Sequence, residues 1–375
     1  STLLPPAGQK GVEIAPMPLM PVDKCIADTS LLAEILLQKY EYHVPFYRQV
    51  KQLEHLGVKL SRNTLDGWFK KTVELLKPLY EELKREVFSC DYVQADETTV
   101  PVINREKHRA DKEYLWMVRS VMEKLVIFHY DGGSRAGAVI ESLANHYPFK
   151  GYLQCDGFAG YETAFKTNPD VRLLNCLVHI RRHFEQALDE NREMAQHALT
   201  QIQHIYKIER QCDEAGLSYD ERRQTRQELS RPIMEAMKVW METEGIKYSP
   251  SSLTGKAITY AYTKWDNIMR CLDDGRLYWD NNLAENVQRP ITLSRKNFLF
   301  CGNHEAAVNM SVICSLLATC KAHDVNPRNY LNDVIAQMPY HKNATHEILL
   351  DQLPHKWKLK HPESILTKQH GVSDN

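Results

Sequence analysis

Tyr92-Val93-Gln94-Ala95-Asp96-Glu97-Thr98 is where the chain changes period. Upstream, apolar residues recur at helical spacing; from Cys90 onward they come in short runs broken by Asp, Gly and Ser. Residues 92–95 read as a buried strand ending at Asp96-Glu97-Thr98. A polar loop with Arg105, Lys107, His108, Arg109 and Lys112 follows. Two more strand-like runs, 113–121 and 125–130, are joined by the tight Met122-Glu123-Lys124 turn. Beyond Asp131-Gly132-Gly133-Ser134-Arg135 come a helix at 136–145, a strand at 151–155 ending in Asp156-Gly157, a helix at 159–165 and a strand at 171–174. This order predicts an α/β fold: a mixed sheet with flanking helices, its first three strands joined as hairpins. Asp96 and Asp156 then fall at the ends of two different strands, where open α/β sheets place ligand sites. Each alone also reads as an ordinary loop or turn aspartate; the two together, each behind an apolar strand, are a stronger signal.

Working outward, Cys176-x-x-His179 follows the last strand, with Arg181, Arg182 and His183 behind it. Two such ligands without a second pair do not make a closed zinc site, which wants four. A packed cysteine and a histidine that supports metal ligands or faces phosphate is the preferred reading. Residues 185–275 are helical in pattern, an insertion between the sheet and the next informative stretch; from Glu185 through Asp280 there are 17 acids against 13 Lys/Arg. That next stretch, Asp280 to Phe300, sets Glu285 among amides and ahead of Arg289, Arg295 and Lys296, and closes on Phe298-Leu299-Phe300. Helical spacing places Asn281, Glu285 and Arg289 on one face, with Pro290 bending or ending the helix. A carboxylate beside cations suits a metal ion next to phosphates, but Asn282-x-x-Glu285 is also a passable capping box.

At 375 residues, 43% hydrophobic and 25% charged, the chain is long enough for two or three domains around at least one large core. No apolar run approaches the ~20 residues of a membrane span and no signal-peptide pattern opens the chain, so a cytoplasmic protein is expected. Nine scattered cysteines without Cys-x-x-Cys read as reduced thiols. A net charge of −1 gives no global sign of nucleic acid, so any DNA affinity must come from local basic patches. One lies near the start. Residues 44–76 read as helix, turn, helix, capped at Ser61-Arg62-Asn63-Thr64, with a further helix over 73–88. Between Tyr47 and Thr72 six Lys/Arg stand against two acids. That charge suits phosphate contact, and Arg62, Asn63 and Lys70 are the candidate DNA contacts, although an amphipathic hairpin with solvated lysines has the same signature. The proline-bearing lead-in over 1–27 has no period, and the tail over 339–375 is expected to be partly disordered or docked along the surface.

Pro45-Phe46-Tyr47-Arg48-Gln49, Ala95-Asp96-Glu97-Thr98, Gln154-Cys155-Asp156-Gly157 and above all Asp273-Asp274-Gly275-Arg276 through Asp280-Asn281-Asn282, Glu285, Arg289-Pro290 and Arg295-Lys296-Asn297 resemble the DDE transposases of the insertion-sequence-sixty-six family. The resemblance runs from about Val22 to Trp357 and is most specific over 252–331. It implies an RNase H-like core in two parts, 90–184 and 276–338, split by the helical insertion 185–275 and preceded by a helix-turn-helix-like DNA-binding segment, 28–89. It implies catalysis by Asp96, Asp156 and Glu285, with Cys176, His179 and Asn282 in support. Family members usually carry a further N-terminal region with zinc-binding cysteines; nothing before Val22 supplies one here.

Three carboxylates with hard oxygen donors suit two Mg²⁺ or Mn²⁺ ions, Asp96 bridging them, Asp156 on one and Glu285 on the other. The expected reaction is strand cleavage at the ends of an insertion sequence followed by strand transfer into double-stranded target DNA. Arg105, Lys107, Arg289, Arg295 and Lys296 are the candidate phosphate contacts. A homodimer or higher assembly on DNA, close to the nucleoid, and no membrane partner complete the expectation. The alternative is a DNA-binding regulator that keeps the fold without the chemistry; a nuclease acting on RNA–DNA hybrids is a weaker third reading.

Overall fold

The computed structural model describes residues 19–23 and 25–367, and the backbone of residues 2–3 and 13–14, where β1 (Thr2–Leu3) pairs antiparallel with β2 (Glu13–Ile14). Most of the lead-in therefore lies outside the described residues. Contacts divide the chain into two units, Ser1–Glu82 with Val312–Asn375, and Leu83–Ser311.

Apart from the β1–β2 pair, the described residues of the first unit are chiefly helical. α1 (Thr29–Tyr40) starts where the Asp28 carboxylate accepts the Leu31 N–H, and it packs against α13 (Pro327–Gln337). α2 (Phe46–His55) sets Phe46 edge-on to Phe69, with the Lys39 ammonium 3.8 Å above the Phe46 ring. The separate helix expected over 73–88 does not exist: α3 runs unbroken over Arg62–Ser89. No Gly or Pro interrupts residues 68–77, and the Thr72 hydroxyl is satisfied by the Trp68 carbonyl, so no signal breaks the ladder there. The tail is docked as far as residue 367. It forms α14 (His346–Asp351) and α15 (Pro354–Lys360), with the Trp357 indole N–H on Asp333 and the Leu366 N–H on the Asp324 carbonyl.

The second unit carries a five-stranded mixed sheet in the order β5-β4-β3-β6-β7. β3 (Tyr92–Asn104), β4 (Arg109–Ser120) and β5 (Val126–His129) are antiparallel neighbours; β6 (Gly151–Cys155) and β7 (Val171–Asn175) add in parallel. Helices α4 (Ala138–His146), α5 (Ala159–Phe165) and α6 (Leu177–Ala187) connect and follow the parallel strands. The alternation of strands and helices is thus as the sequence indicates, with the boundaries of the first hairpin corrected: β4 starts at Arg109 rather than at 113. The first strand does not stop at Ala95 but continues to Asn104, shrinking the loop to residues 105–108, because Thr98, Val100 and Val102 keep burying one face. Pro101 is tolerated inside it because its backbone faces away from β4, where its carbonyl accepts the Cys301 N–H instead.

The inserted region is all-helical among its described residues: α7 (Arg192–Glu214), α8 (Tyr219–Thr225), a π-turn at Arg226–Ser230, α9 (Arg231–Gly245) and α10 (Leu253–Met269). It shares its core with the sheet. Ile202, Ile205, Met234, Met237, Ile258 and Trp265 pack in one cluster with Leu174, Leu177, Ile180 and Phe184. α11 (Asn282–Phe298) and α12 (His304–Ala322) follow. α11 passes straight through Pro290, which costs it one backbone hydrogen bond but does not end it. No helix among the described residues is long and apolar enough to cross a membrane, and all nine cysteines are free.

The strand of chain leading into α11 is clamped by Arg226. This side chain is 1% exposed, donates to both oxygens of Glu209 on α7, and also donates to the carbonyls of Cys271, Asp274 and Leu277. Replacing Arg226 leaves Glu209 with Arg222 alone and three buried carbonyls without their donor. Arg226→Met is expected to cost about 3 kcal/mol or more, measured as a shift in the urea unfolding midpoint.

Candidate active site

Three buried polar side chains set the geometry. The parallel register pairs Gln94 of β3 with Gln154 of β6, and the Gln94 amide donates to the Gln154 carbonyl oxygen at 2.8 Å. Tyr92 donates to the same oxygen at 2.6 Å. The remaining groups of this trio reach out to the segment that opens α11. The Gln94 amide donates to the Asp280 carbonyl at 3.0 Å and its oxygen accepts the Ala284 N–H at 3.1 Å. The Gln154 amide donates to the Tyr278 carbonyl at 2.6 Å, and the Tyr278 N–H donates back to the Tyr92 hydroxyl at 3.0 Å.

Asp96 and Asp156 each lie two residues beyond their glutamine, Asp96 within β3 and Asp156 one residue past the end of β6. Asp96 is thus the fifth residue of a long strand rather than its last. Glu285 arrives from the first turn of α11, one residue after the docked Ala284. The capping-box alternative for Glu285 is not realised: Asn281 is the N-cap and makes no side-chain cap bond. Instead the Glu285 carboxylate stands 3.4 Å from the Arg182 guanidinium and 3.8 Å from His179 Nε2.

The three acids and Glu97 feel one another. Burial, followed by the charges of Glu97, Asp156 and Glu285, pushes the Asp96 carboxyl up to about 7. Burial also raises Glu97, against the opposing pull of Arg135, which donates to it at 2.7 and 2.9 Å. Neither Asp96 nor Asp156 forms an ion pair among the described residues. Among the described residues Asp96 accepts only the Glu97 N–H, and the Asp156 carboxylate accepts the Phe158 N–H. His179 is held down by burial while Asp156 and Glu285 pull it up, and its Nδ1 is buried without a protein partner. Asp96 and Asp156, hard oxygen donors without an ion pair, with the imidazole of His179 nearby and Glu285 only partly answered by Arg182, fit a hard divalent cation. The oxygens of the three acids are not all within 4.8 Å of one another, so the arrangement is more open than one shared ion requires.

Cys176 is the buried N-cap of α6, its thiol pushed up to about 12 chiefly by burial, and acts as packing. Asn282 is exposed and only its backbone N–H is engaged, on Asp280. Asn281, expected on one face with Glu285 and Arg289, is fully buried and precedes the helix as its N-cap. Among the basic candidates, Arg289, Lys296 and Arg105 are exposed and have no acidic partner among the described residues, as is true of Arg62 at the start of α3 beside the exposed Asn63. Lys107 pairs with Asp111 at 3.2 Å and Lys70 with Asp66 at 3.3 Å. Arg295 is engaged by β3, donating to the Thr99 carbonyl at 2.7 Å and to its hydroxyl. Gln94, Gln154, Glu97 and Arg182 were not singled out from sequence. A signal existed: Gln94-Ala95-Asp96 and Gln154-Cys155-Asp156 repeat one Gln-x-Asp pattern, and Arg182 lies one helical turn beyond His179.

Over residues 24–309 the chain matches the family described as Transposase IS66 family, and over residues 315–358 the IS66 C-terminal element. It is 30% identical over 366 residues to the uncharacterized protein y4jD of Sinorhizobium fredii, covering 94% of this chain and 70% of that one. The uncharacterized protein y4hP of the same organism is 28% identical over 371 residues, with 93% and 66% covered. A third, y4qI, is 29% identical over 346 residues, with 88% and 63% covered. The chain thus spans about two thirds of the length of these relatives.

A carboxyl raised from 3.8 to about 7 on folding favours the folded state only while it is protonated. Its contribution is present below about pH 4 and is lost as pH rises through about 7. Asp96→Asn is therefore expected to raise the Tm measured without divalent ions at pH 8, and to leave it unchanged at pH 4. Wild type, and not the variant, should regain that difference when Mg²⁺ is added at pH 8.

Proposed function

We propose that this chain, which belongs to the IS66 family of transposases, cuts DNA strands at the ends of an insertion sequence and joins them to target DNA. In this reading Asp96, Asp156 and Glu285 are the catalytic acids of an RNase H-like core. The observation that carries it is that Asp96 and Asp156 each follow by two residues the paired Gln94 and Gln154, without ion-pair partners among the described residues, while Ala284, the neighbour of Glu285, is docked on Gln94 and the Glu285 charge helps to raise Asp96. Asp96, Asp156 and Glu285 would hold two Mg²⁺ or Mn²⁺ ions, whose preference for hard oxygen matches this donor set. When bound they would polarise the scissile phosphate and stabilise charge on the leaving oxygen.

The protein's own groups then divide the remaining work. Arg182 and His179 hold the Glu285 carboxylate from the side of α6. Arg289 and Lys296, exposed along α11, hold DNA phosphates that lead away from the acids. Arg105 at the β3–β4 turn does the same, while residues 28–89 form the DNA-binding segment with Arg62 and Asn63 at its contact end. In the first step a water oxygen bonds to phosphorus as the bond to the 3′ oxygen breaks, freeing a 3′-OH. In the second, that hydroxyl bonds to a target phosphate as the target's own 3′ oxygen leaves. Two copies of the chain, one on each end, would keep the paired ends together.

Asp96→Asn, Asp156→Asn and Glu285→Gln are each expected to abolish Mg²⁺-dependent nicking and joining of element-end duplex while leaving circular dichroism and DNA binding near wild type. Retained cleavage in any two of them rejects these acids as catalytic, and binding by wild type without any metal-dependent nicking favours a regulator. Arg289→Glu and Lys296→Glu should weaken binding across DNA sequences, each lowering the slope of log affinity against log salt by about one.

A further inference from the structure

The end of α11 is built differently from an ordinary helix stop. Leu299, its C-cap, has φ 59° and ψ −44°, and the Phe300 N–H donates to the Phe298 carbonyl at 2.6 Å. That is a γ-turn of the strained hand, on a bulky residue that has no use for the left-handed region. Such strain persists only where the surroundings over-determine it. Here both flanks are fastened to β3. On the helix side Arg295 donates to Thr99, and on the far side the Cys301 N–H donates to the Pro101 carbonyl at 2.8 Å while the Ile103 N–H donates to the Cys301 carbonyl at 2.9 Å. The product of this fastening is an apolar tip: Leu299 is 62% and Phe300 45% exposed.

The ground around the tip is cationic. Glu285 is the only acid on α11, against Arg289, Arg295 and Lys296, and Arg289 and Lys296 are exposed without acidic partners among the described residues. The β3–β4 turn, at the end of the strand that fastens the tip, adds Arg105, with Glu106 as the turn's one acid and Lys107 already paired with Asp111. An apolar pair held rigid in such a field fits a polyanion with a stacked apolar interior, and not an apolar protein face.

We propose that Leu299 and Phe300 form a wedge that enters duplex DNA between base pairs, while the exposed basic face of α11 lies along the phosphates. The proposal rests on the reading of Glu285 as part of the cleavage site, because α11 then acts as a ruler. The 14 residues from Glu285 to Leu299 span about 21 Å at 1.5 Å per residue. At ~3.4 Å per step this places the wedge about six base pairs from the phosphate held at the acids. Side chains of this kind unstack a step and kink the duplex, a cost recovered through additional contact with the bent DNA.

The test uses the end duplex of the element that encodes the chain, with 2-aminopurine placed at successive positions and no divalent ion, so that no cleavage occurs. Wild type should raise the fluorescence in a narrow window about six steps from the cleavage point. The double variant Leu299→Ser with Phe300→Ser should lose that rise while still retarding the duplex. A mismatch built into the same step removes the unstacking cost and should tighten wild-type binding by about tenfold or more, with no such preference in the double variant. A double variant that keeps the fluorescence rise overturns the wedge, as does wild type that binds but brightens no position. A changed oligomeric state in the double variant with unaltered fluorescence also overturns it, and assigns the tip to contact between copies. These outcomes are independent of the acid-variant cleavage assays, so the wedge can fail while the catalytic reading stands. Failure of wild type to bind the duplex at all would overturn both.

Discussion

Gln94 and Gln154 face each other across the two central parallel-paired strands, and every polar atom of the pair points either at its partner, at Tyr92 or at the backbone that opens α11. Side-chain amides are poor guests inside a sheet. Each unmet donor or acceptor there would cost about 1–3 kcal/mol, so the backbone at residues 278–284 is required in one place and one orientation. The consequence is positional. Asp96 and Asp156 lie two residues past the amides, and Glu285 lies one residue past the docked Ala284, so the same hydrogen bonds that satisfy the core bring the acids toward a common space.

That space is held against repulsion. Asp96 carries the cost of three neighbouring acids and of its own burial, while Glu97 is answered by Arg135 and Glu285 by Arg182. The cations present relieve the periphery and leave the centre, Asp96 and Asp156, without an ion pair. Sites arranged in this way trade stability for readiness to accept an external positive charge, the pattern expected where perturbed carboxyls serve function rather than packing. Gly157 marks how closely the site is packed from behind: a Cβ there would stand 2.1 Å from the Tyr260 hydroxyl, so α10 of the inserted region forms a wall beside Asp156.

The inserted helices are therefore more than an appendage. Their core runs into that of β7 and α6, Arg270 donates to the Leu173 carbonyl, Asn267 to Asn175, and Tyr206 to Asp280 just ahead of α11. Together with the Arg226 clamp, these bonds fix the path of the chain between the last strand and the helix that carries Glu285. The insertion supplies the geometry for an acid that it does not itself contain.

By itself the sequence determined the local identities: the change from helical to strand period at Cys90, the order of strands and helices, the long helical insertion, and the three acids with their apolar or amide neighbours. These were legible because periodicity and residue chemistry act over a few positions. It also held, unread, the repeated Gln-x-Asp that announces the register. What only the tertiary structure decided were the choices that depend on partners far along the chain. One is whether Glu285 caps its own helix or turns to Arg182 and His179. Another is whether α11 survives Pro290, and a third is whether Arg295 is available to a ligand or tied to Thr99. In each case the local options differ by about a kilocalorie or a few, and contacts with residues a hundred or more positions away outweigh that difference.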